Sequence, residues 1–237
     1  MALTKVIGTG VGNLDTLGVG TASPSHPLHI VTSTDGTGVS GDDKFVAVFQ
    51  NAEATDGRSY GVKIMAGSTS DQAFAITDHD GSNDLMSVDG YGHVLMPNQS
   101  AFAVYKTSGQ NNIAINSGNT ITWDAEYFDQ NADFASNTFT APVTGKYLLG
   151  CRLRTDNVDS GATYYYIMIA TSNRNYYNIM SPDRFSGDPT YFFFQITELT
   201  DMDANDTAYI SFYQAGGTAQ TDIDTGAKSS FWGHLVC

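Results

Sequence analysis

Several residue types that catalytic and nucleic-acid-binding proteins rely on are scarce in this chain. Cysteine occurs twice, at Cys151 and Cys237, so there is no Cys-x-x-Cys pair for zinc or thiol–disulfide chemistry and no disulfide framework. The two thiols read as free and buried. Glutamate occurs only at Glu53, Glu126 and Glu198, so a carboxylate pair of the kind that cleaves glycosides would have to come from aspartates, and these sit in turn contexts. There is no His-x-x-x-His pair and no Gly-x-Ser-x-Gly elbow. The chain therefore reads as a non-enzyme. Lysine and arginine number 11 against 25 acids, a net charge of −14. The excess is even along the chain, with 4 basic and 11 acidic residues in 1–99 and 7 and 14 in 100–237. A surface this acidic repels phosphate backbones, which excludes nucleic acid as a partner. No apolar run approaches the ~20 residues of a membrane span, and Met-Ala-Leu-Thr-Lys-Val lacks the apolar run of a signal peptide. The expectation is synthesis in a cytoplasm without membrane insertion.

What is present is a β-protein composition: 24 glycines, 13 tyrosines, 13 phenylalanines and 41% hydrophobic residues in 237. Polar and turn residues break every apolar run within a few positions, so the fold class is all-β. Residues 1–24 are Gly-rich and have too few aromatics for a core of their own. They read as part of an extended arm, 1–30, that gains order from neighbouring chains. Residues 31–98 read as a β-rich shaft or collar. Within it, 44–52 and 58–67 alternate like strands, and Asp89-Gly90 marks a hairpin between Met86–Val88 and Val94–Met96. Asp78, Asp80, Asp84 and Asp89 crowd this region with His79 and His93. No glutamate closes a calcium loop there, and turn-forming aspartates explain the pattern better. Pro97 to Ser100 mark the boundary, after which aromatics rise.

The run 17–30, LGVGTASPSHPLHI, carries Val19, Gly20, Thr21, Pro24, Leu28, His29 and Ile30 in an order that resembles a segment common in phage tail fibres and related virion proteins. That resemblance implies a homotrimeric virion appendage with an arm held by neighbouring virion proteins. Leu3, Val6, Ile7 and Val11 are the arm's candidate attachment residues.

Residues 99–237 form the third domain. The stretch 123–151 reads as two aromatic strands joined by a turn at Pro142 to Gly145. Trp123, Asp129, Phe134, Phe139, Pro142, Gly145 and Tyr147 follow the pattern of C1q domains, in the C1q and tumour-necrosis-factor superfamily of jelly rolls. Phe231, Gly233 and Leu235 resemble that family's last strand. Leu149 and Cys151 stand where the family pattern has aromatics. The resemblance implies a jelly-roll sandwich that assembles as a homotrimer.

The strands at 164–170 and 191–196 are apolar at successive positions, so both their faces need cover. Tyr164, Tyr166, Phe192 and Phe194 are accordingly the candidate trimer contacts. The strand at 208–214 instead sets Ile210 and Phe212 against Tyr209, Ser211 and Tyr213, a tyrosine face suited to a rim or a ligand. Tyr176, Tyr177 and Trp232 are candidate ligand contacts for a host-surface glycan or protein. Asp201, Asp203 and Asp206 are candidate calcium ligands, the only cofactor for which the sequence offers a set. Arg152 and Arg154 point to one face of a strand. The functional reading is a trimeric phage fibre, located in the virion, whose C-terminal knob adheres to the host. The rivals are a purely structural head fibre or decoration protein, a cellular C1q-like recognition protein, and a carbohydrate-active enzyme.

Overall fold

In the computed structural model, residues 62–224, 226 and 228–237 are described, together with the backbone of two short strands, β1 (Leu17–Val19) and β2 (Leu28–Ile30), which pair in parallel. The attachment residues Leu3, Val6, Ile7 and Val11, and the expected strand at 44–52, lie outside the described residues. The chain divides into compact units at 1–65 and 66–237. Val62, Ile64 and Met65 are exposed and form no strand, contrary to the alternation read at 58–67, because no described strand pairs with them.

The second unit opens with a three-stranded antiparallel sheet, β3 (Gln72–Thr77), β4 (Asp84–Asp89) and β5 (Val94–Leu95), in that order. The Asp89-Gly90 hairpin joins β4 to β5 as expected, and the Asp89 carboxylate accepts the N–H groups of Tyr91 and His93, each at 2.9 Å. Asp78 does the same between β3 and β4, where it accepts from Ser82 N at 2.9 Å and from the Asn83 side chain at 2.6 Å. These acids shape turns by offering local acceptors to the backbone.

The rest is a two-sheet sandwich. One sheet has the order β14 (Tyr191–Met202), β11 (Gly145–Asp156), β17 (Ser230–Leu235), β6 (Ala101–Tyr105), β8 (Ala125–Asp129), with β16 (Asp222–Ile223) beside β11. The other runs β13 (Asn175–Met180), β12 (Tyr164–Thr171), β15 (Thr207–Ala215), β10 (Thr138–Thr140), β9 (Phe134–Ala135), with β7 (Asn119–Thr120) beside β15. The antiparallel pairs nest: β6 with β17, β10 with β15, β11 with β14, β12 with β13. Successive pairs alternate between the two sheets, which is a long hairpin wrapped into a jelly roll. The stretch 123–151 thus holds β8, β9, β10 and the start of β11, not two strands. Pro142 to Gly145 is the turn between β10 and β11.

Alternation along each strand makes the core. Phe102 of β6 stacks on Phe139 of β10 across the sandwich, with ring centroids 4.7 Å apart, and meets Phe231 edge-on at 5.0 Å. Phe134 stacks on Phe102 at 5.1 Å. At the other end Phe194 of β14 meets Phe212 of β15 edge-on at 5.1 Å. Tyr147 is buried and donates its hydroxyl to the Val143 carbonyl at 2.7 Å, tying β11 back to the turn before it. Burial pushes its pKa up, as expected for a phenol that stays a neutral donor. The Cys151 thiol is wholly buried and likewise pushed up, whereas Cys237, expected to be buried, is exposed, because it lies past the last strand, which ends at Leu235.

The loops at one end of the sandwich are pinned by buried aspartate. Asp159 accepts from the backbone N–H groups of Gly161 at 2.7 Å, Thr218 at 2.6 Å and Ala219 at 2.8 Å. These bonds hold its carboxyl below the usual range, led by the one from Ala219. Gly217, at φ +88°, lies so close that a β-carbon there would sit 2.5 Å from an Asp159 oxygen. Asp188 accepts from Ser160 N at 2.8 Å and is lowered by the Ser160 hydrogen bonds. A carboxyl whose folded pKa is depressed stabilises the fold fully above its unfolded value, and that contribution is lost as pH falls through the folded one. Asp159→Ala should cost roughly 1–3 kcal/mol by stranding three N–H donors. It should also flatten the loss of melting temperature below the ordinary carboxyl value of 3.8. Thermal denaturation of both proteins from acid to neutral pH checks this.

Candidate functional site

The outward positions of the sandwich present two different aromatic surfaces. On the sheet that contains β11, a bulge between β6 and β8 leaves Tyr127 and Phe128, consecutive residues, both exposed, at 57% and 52%. Tyr127 stacks on Tyr105 at 4.3 Å. Trp232 lies over Gly150, its register partner, so closely that a β-carbon on Gly150 would overlap the indole. Trp232, Phe128 and Tyr127 line a shallow depression of about 420 Å³ with His234 and Ala103. Further across the sheet Phe193 and Leu199 are exposed, and Arg152 and Arg154 lie 5.9 Å and 4.9 Å over the rings of Phe193 and Tyr191. Arg154 pairs with Asp224 at 2.7 Å and Asp156 at 3.1 Å, and Arg152 donates to the Lys228 carbonyl at 3.0 Å.

On the other sheet the surface is built of tyrosine. Tyr166 on β12 and Tyr213 on β15 are register partners, and their rings stack at 5.0 Å and 4° from parallel. Tyr164 stacks on Tyr213 at 6.0 Å, and Tyr177 of β13 meets Tyr166 edge-on at 5.2 Å. Period-two alternation puts them together: Tyr165, Ile167 and Ile169 fill the core, which leaves Tyr164 and Tyr166 outward. Tyr164, Tyr166, Tyr177 and Ile179 line a cavity of about 250 Å³. The Tyr166 phenol is raised first by burial and then by the phenols of Tyr177, Tyr213 and Tyr164.

The sequence-derived candidates divide accordingly. Tyr164 and Tyr166 share the tyrosine face with Tyr177, proposed separately as a ligand contact. Phe194 does not reach a surface: it is 2% exposed and packs between the sheets, and Phe192 packs against the same core. The side chains of β14 that point out are those one position away, Tyr191 and Phe193, because alternation sends the even-numbered residues inward. Tyr176 also packs against the core, while its neighbour Tyr177 is outward. Trp232 lies on the outer face of the opposite sheet, far from the tyrosines in register.

Asp201, Asp203 and Asp206 do not converge. Asp201 pairs with Arg174 at 3.1 Å, and one Asp206 oxygen accepts both Asp203 N at 2.8 Å and the Asn173 amide at 2.9 Å. Among the described residues no group of three or more His, Cys, Asp or Glu side chains is placed to hold a metal ion. Two residues of this surface carry no signal in the sequence: Tyr127 and Phe128 are adjacent, so plain alternation would send them to opposite faces, and only the bulge turns both outward. Lys106 is 1% exposed, with its ammonium on the Thr122 carbonyl at 2.7 Å. Burial lowers its pKa against the opposing pull of Asp124.

No protein-family model matches the chain, and no curated protein matches it. Among solved structures, the sandwich is similar to murine APRIL at pH 8.0, with a TM-score of 0.44 at 10% identity over 59% of this chain and 100% of that one. It is similar to the globular domain of zebrafish complement 1qA with a TM-score of 0.44 at 16% identity, over 59% and 98%. Murine APRIL at pH 8.5 gives 0.42 at 11% identity, over 59% and 100%. No helix among the described residues is long and apolar enough to cross a membrane.

Gly150→Ala should push the indole of Trp232 off the sheet and cost about 1–3 kcal/mol. A shift in the tryptophan emission maximum, together with urea denaturation, checks both effects. Calcium or a chelator should leave the melting temperature unchanged, since ligand binding to the native state alone would raise it; a calcium-dependent rise would show that the loop at 201–206 rearranges into a site.

Proposed function

We propose that this chain is a homotrimeric phage fibre protein, held in the virion by its N-terminal arm, whose jelly-roll domain adheres to the host surface. The observation that carries this reading is the pair of outward aromatic faces on one sandwich. A single chain leaves Phe128, Phe193 and Leu199 exposed and Trp232 half-buried on one outer face, the kind of apolar surface that an interaction covers. In place of the trimer contacts expected at Tyr164 and Tyr166 and the ligand contact expected at Trp232, threefold assembly covers that face with sister chains and leaves the tyrosine face outward on each copy. Three identical faces on one axis then give multivalent attachment, in which weak contacts sum through effective concentration. The fibre-like order of residues 17–30 supports the virion setting, and the net charge of −14 fits a surface protein that avoids nucleic acid.

The trimer is tested by light scattering at micromolar concentration, where the mass should be three times the 25.4 kDa of the chain. Phe128→Asp with Trp232→Ala should shift that mass towards the monomer. A wild-type monomer would overturn the assembly. Labelled full-length protein should bind the surface of host cells and be competed by parent particles. Release of product from host polysaccharide would replace adhesion with catalysis.

A further inference from the structure

Four tyrosines on three adjacent strands converge on one patch, and three of their hydroxyls have no partner among the described residues and face solvent. Tyr164, Tyr166 and Tyr213 make no hydrogen bond to the described chain. Tyr177 only accepts a long one, 3.3 Å, from Asn175. The outward positions of β12, β13 and β15 around them are Met168, Ile179, Asn175, Ser211 and Ala215, none of which carries a formal charge. The phenols themselves are the only groups that perturb Tyr166 besides burial. The surface is therefore aromatic, uncharged and lined with solvent-facing donor–acceptor hydroxyls.

We propose that this tyrosine face is a binding site for a neutral hexopyranose ring, the terminal sugar of a surface glycan. This rests on the adhesion reading and specifies its ligand. A pyranose offers what the patch lacks: an apolar C–H face to lie against the exposed ring carbon of the tyrosine cluster, and equatorial hydroxyls to pair with the phenols. An apolar protein segment would cover the hydroxyls without pairing them, which costs free energy for each. An anionic sugar would meet no cation in the patch and a strongly acidic chain around it. A sister chain has the other sheet, where Phe128, Phe193 and Leu199 offer exposed carbon beside Tyr127 and Tyr191. The cavity of about 250 Å³ beside Tyr164 and Tyr177 suits one ring, not an extended ligand.

The test is saturation-transfer NMR on the full chain with methyl glucoside, methyl galactoside and methyl mannoside, and N-acetylneuraminic acid as the anionic control. At least one neutral glycoside should receive saturation, the acid should not, and Tyr213→Ala should weaken binding roughly tenfold. Tyr166→Phe keeps the stack and removes one hydroxyl, and should weaken binding less, with unchanged melting temperature. No transfer to any neutral glycoside, equal transfer to the acid, or a glycoside signal unaffected by Tyr213→Ala would each overturn the site. A change of oligomeric mass in Tyr213→Ala would also overturn it, because the face would then be an interface between copies. Host-cell binding that survives Tyr213→Ala would leave adhesion standing and remove only this site. Glycoside binding without host-cell binding would leave the site and remove the adhesion reading.

Discussion

Everything else in the sandwich depends on the aromatic packing that Phe102 makes between the two sheets. Its ring meets Phe139 and Phe134 on one side and Phe231 on the other. Phe102 and Phe231 sit on neighbouring strands near the two ends of the domain, while Phe134 and Phe139 come from the opposite sheet. One buried cluster therefore closes the chain on itself and joins the layers. Aromatic pairs of this kind add about 0.5–1.5 kcal/mol each beyond the area they bury. They also fix register, because a slip of one residue in β6 would turn Phe102 and Val104 into solvent.

That constraint decides which side chains are left to act. With Tyr165, Ile167, Ile169 and Phe212 committed inward, the intervening tyrosines have only one direction to point. With Phe194 and Ile196 inward, Phe193 is forced out on the other sheet. The two outer faces then differ in chemistry. One is carbon-rich and flanked by two arginines that lie over rings, of which Arg154 pairs with acids. The other carries hydroxyls and no charge. A protein that assembles and binds through separate surfaces needs this kind of difference, since a contact suited to both partners would select neither.

The aspartates show the same economy at the loops. Many of the described ones accept backbone N–H groups that turns would otherwise leave unpaired. Asp78 and Asp89 do so in the hairpins of the small sheet, Asp159 and Asp188 at one end of the sandwich. The high acid content thus shapes turns as well as setting the net charge, and it does so without a metal-binding arrangement among the described residues.

The all-β class, the Asp89-Gly90 hairpin, the Pro142 to Gly145 turn and the turn-forming role of the acids were legible in the sequence, because each depends on residues within a few positions of one another. The tyrosine face was legible in part. The alternation of Ile210 and Phe212 with Tyr209 and Tyr213 marks it, and Tyr164, Tyr166 and Tyr177 were all singled out, though for two different roles. What the sequence could not decide was which phase of an all-apolar strand faces inward. At 191–196 every position but one is apolar, so Phe192 and Phe194 and their neighbours Tyr191 and Phe193 look alike until a second sheet lies on one side. Nor could it join Tyr166 to Tyr213, 47 positions apart, or show that a bulge turns both Tyr127 and Phe128 to the surface. Local pattern determines that a segment is a strand. Only the packing of one sheet on the other determines which of its faces remains in water.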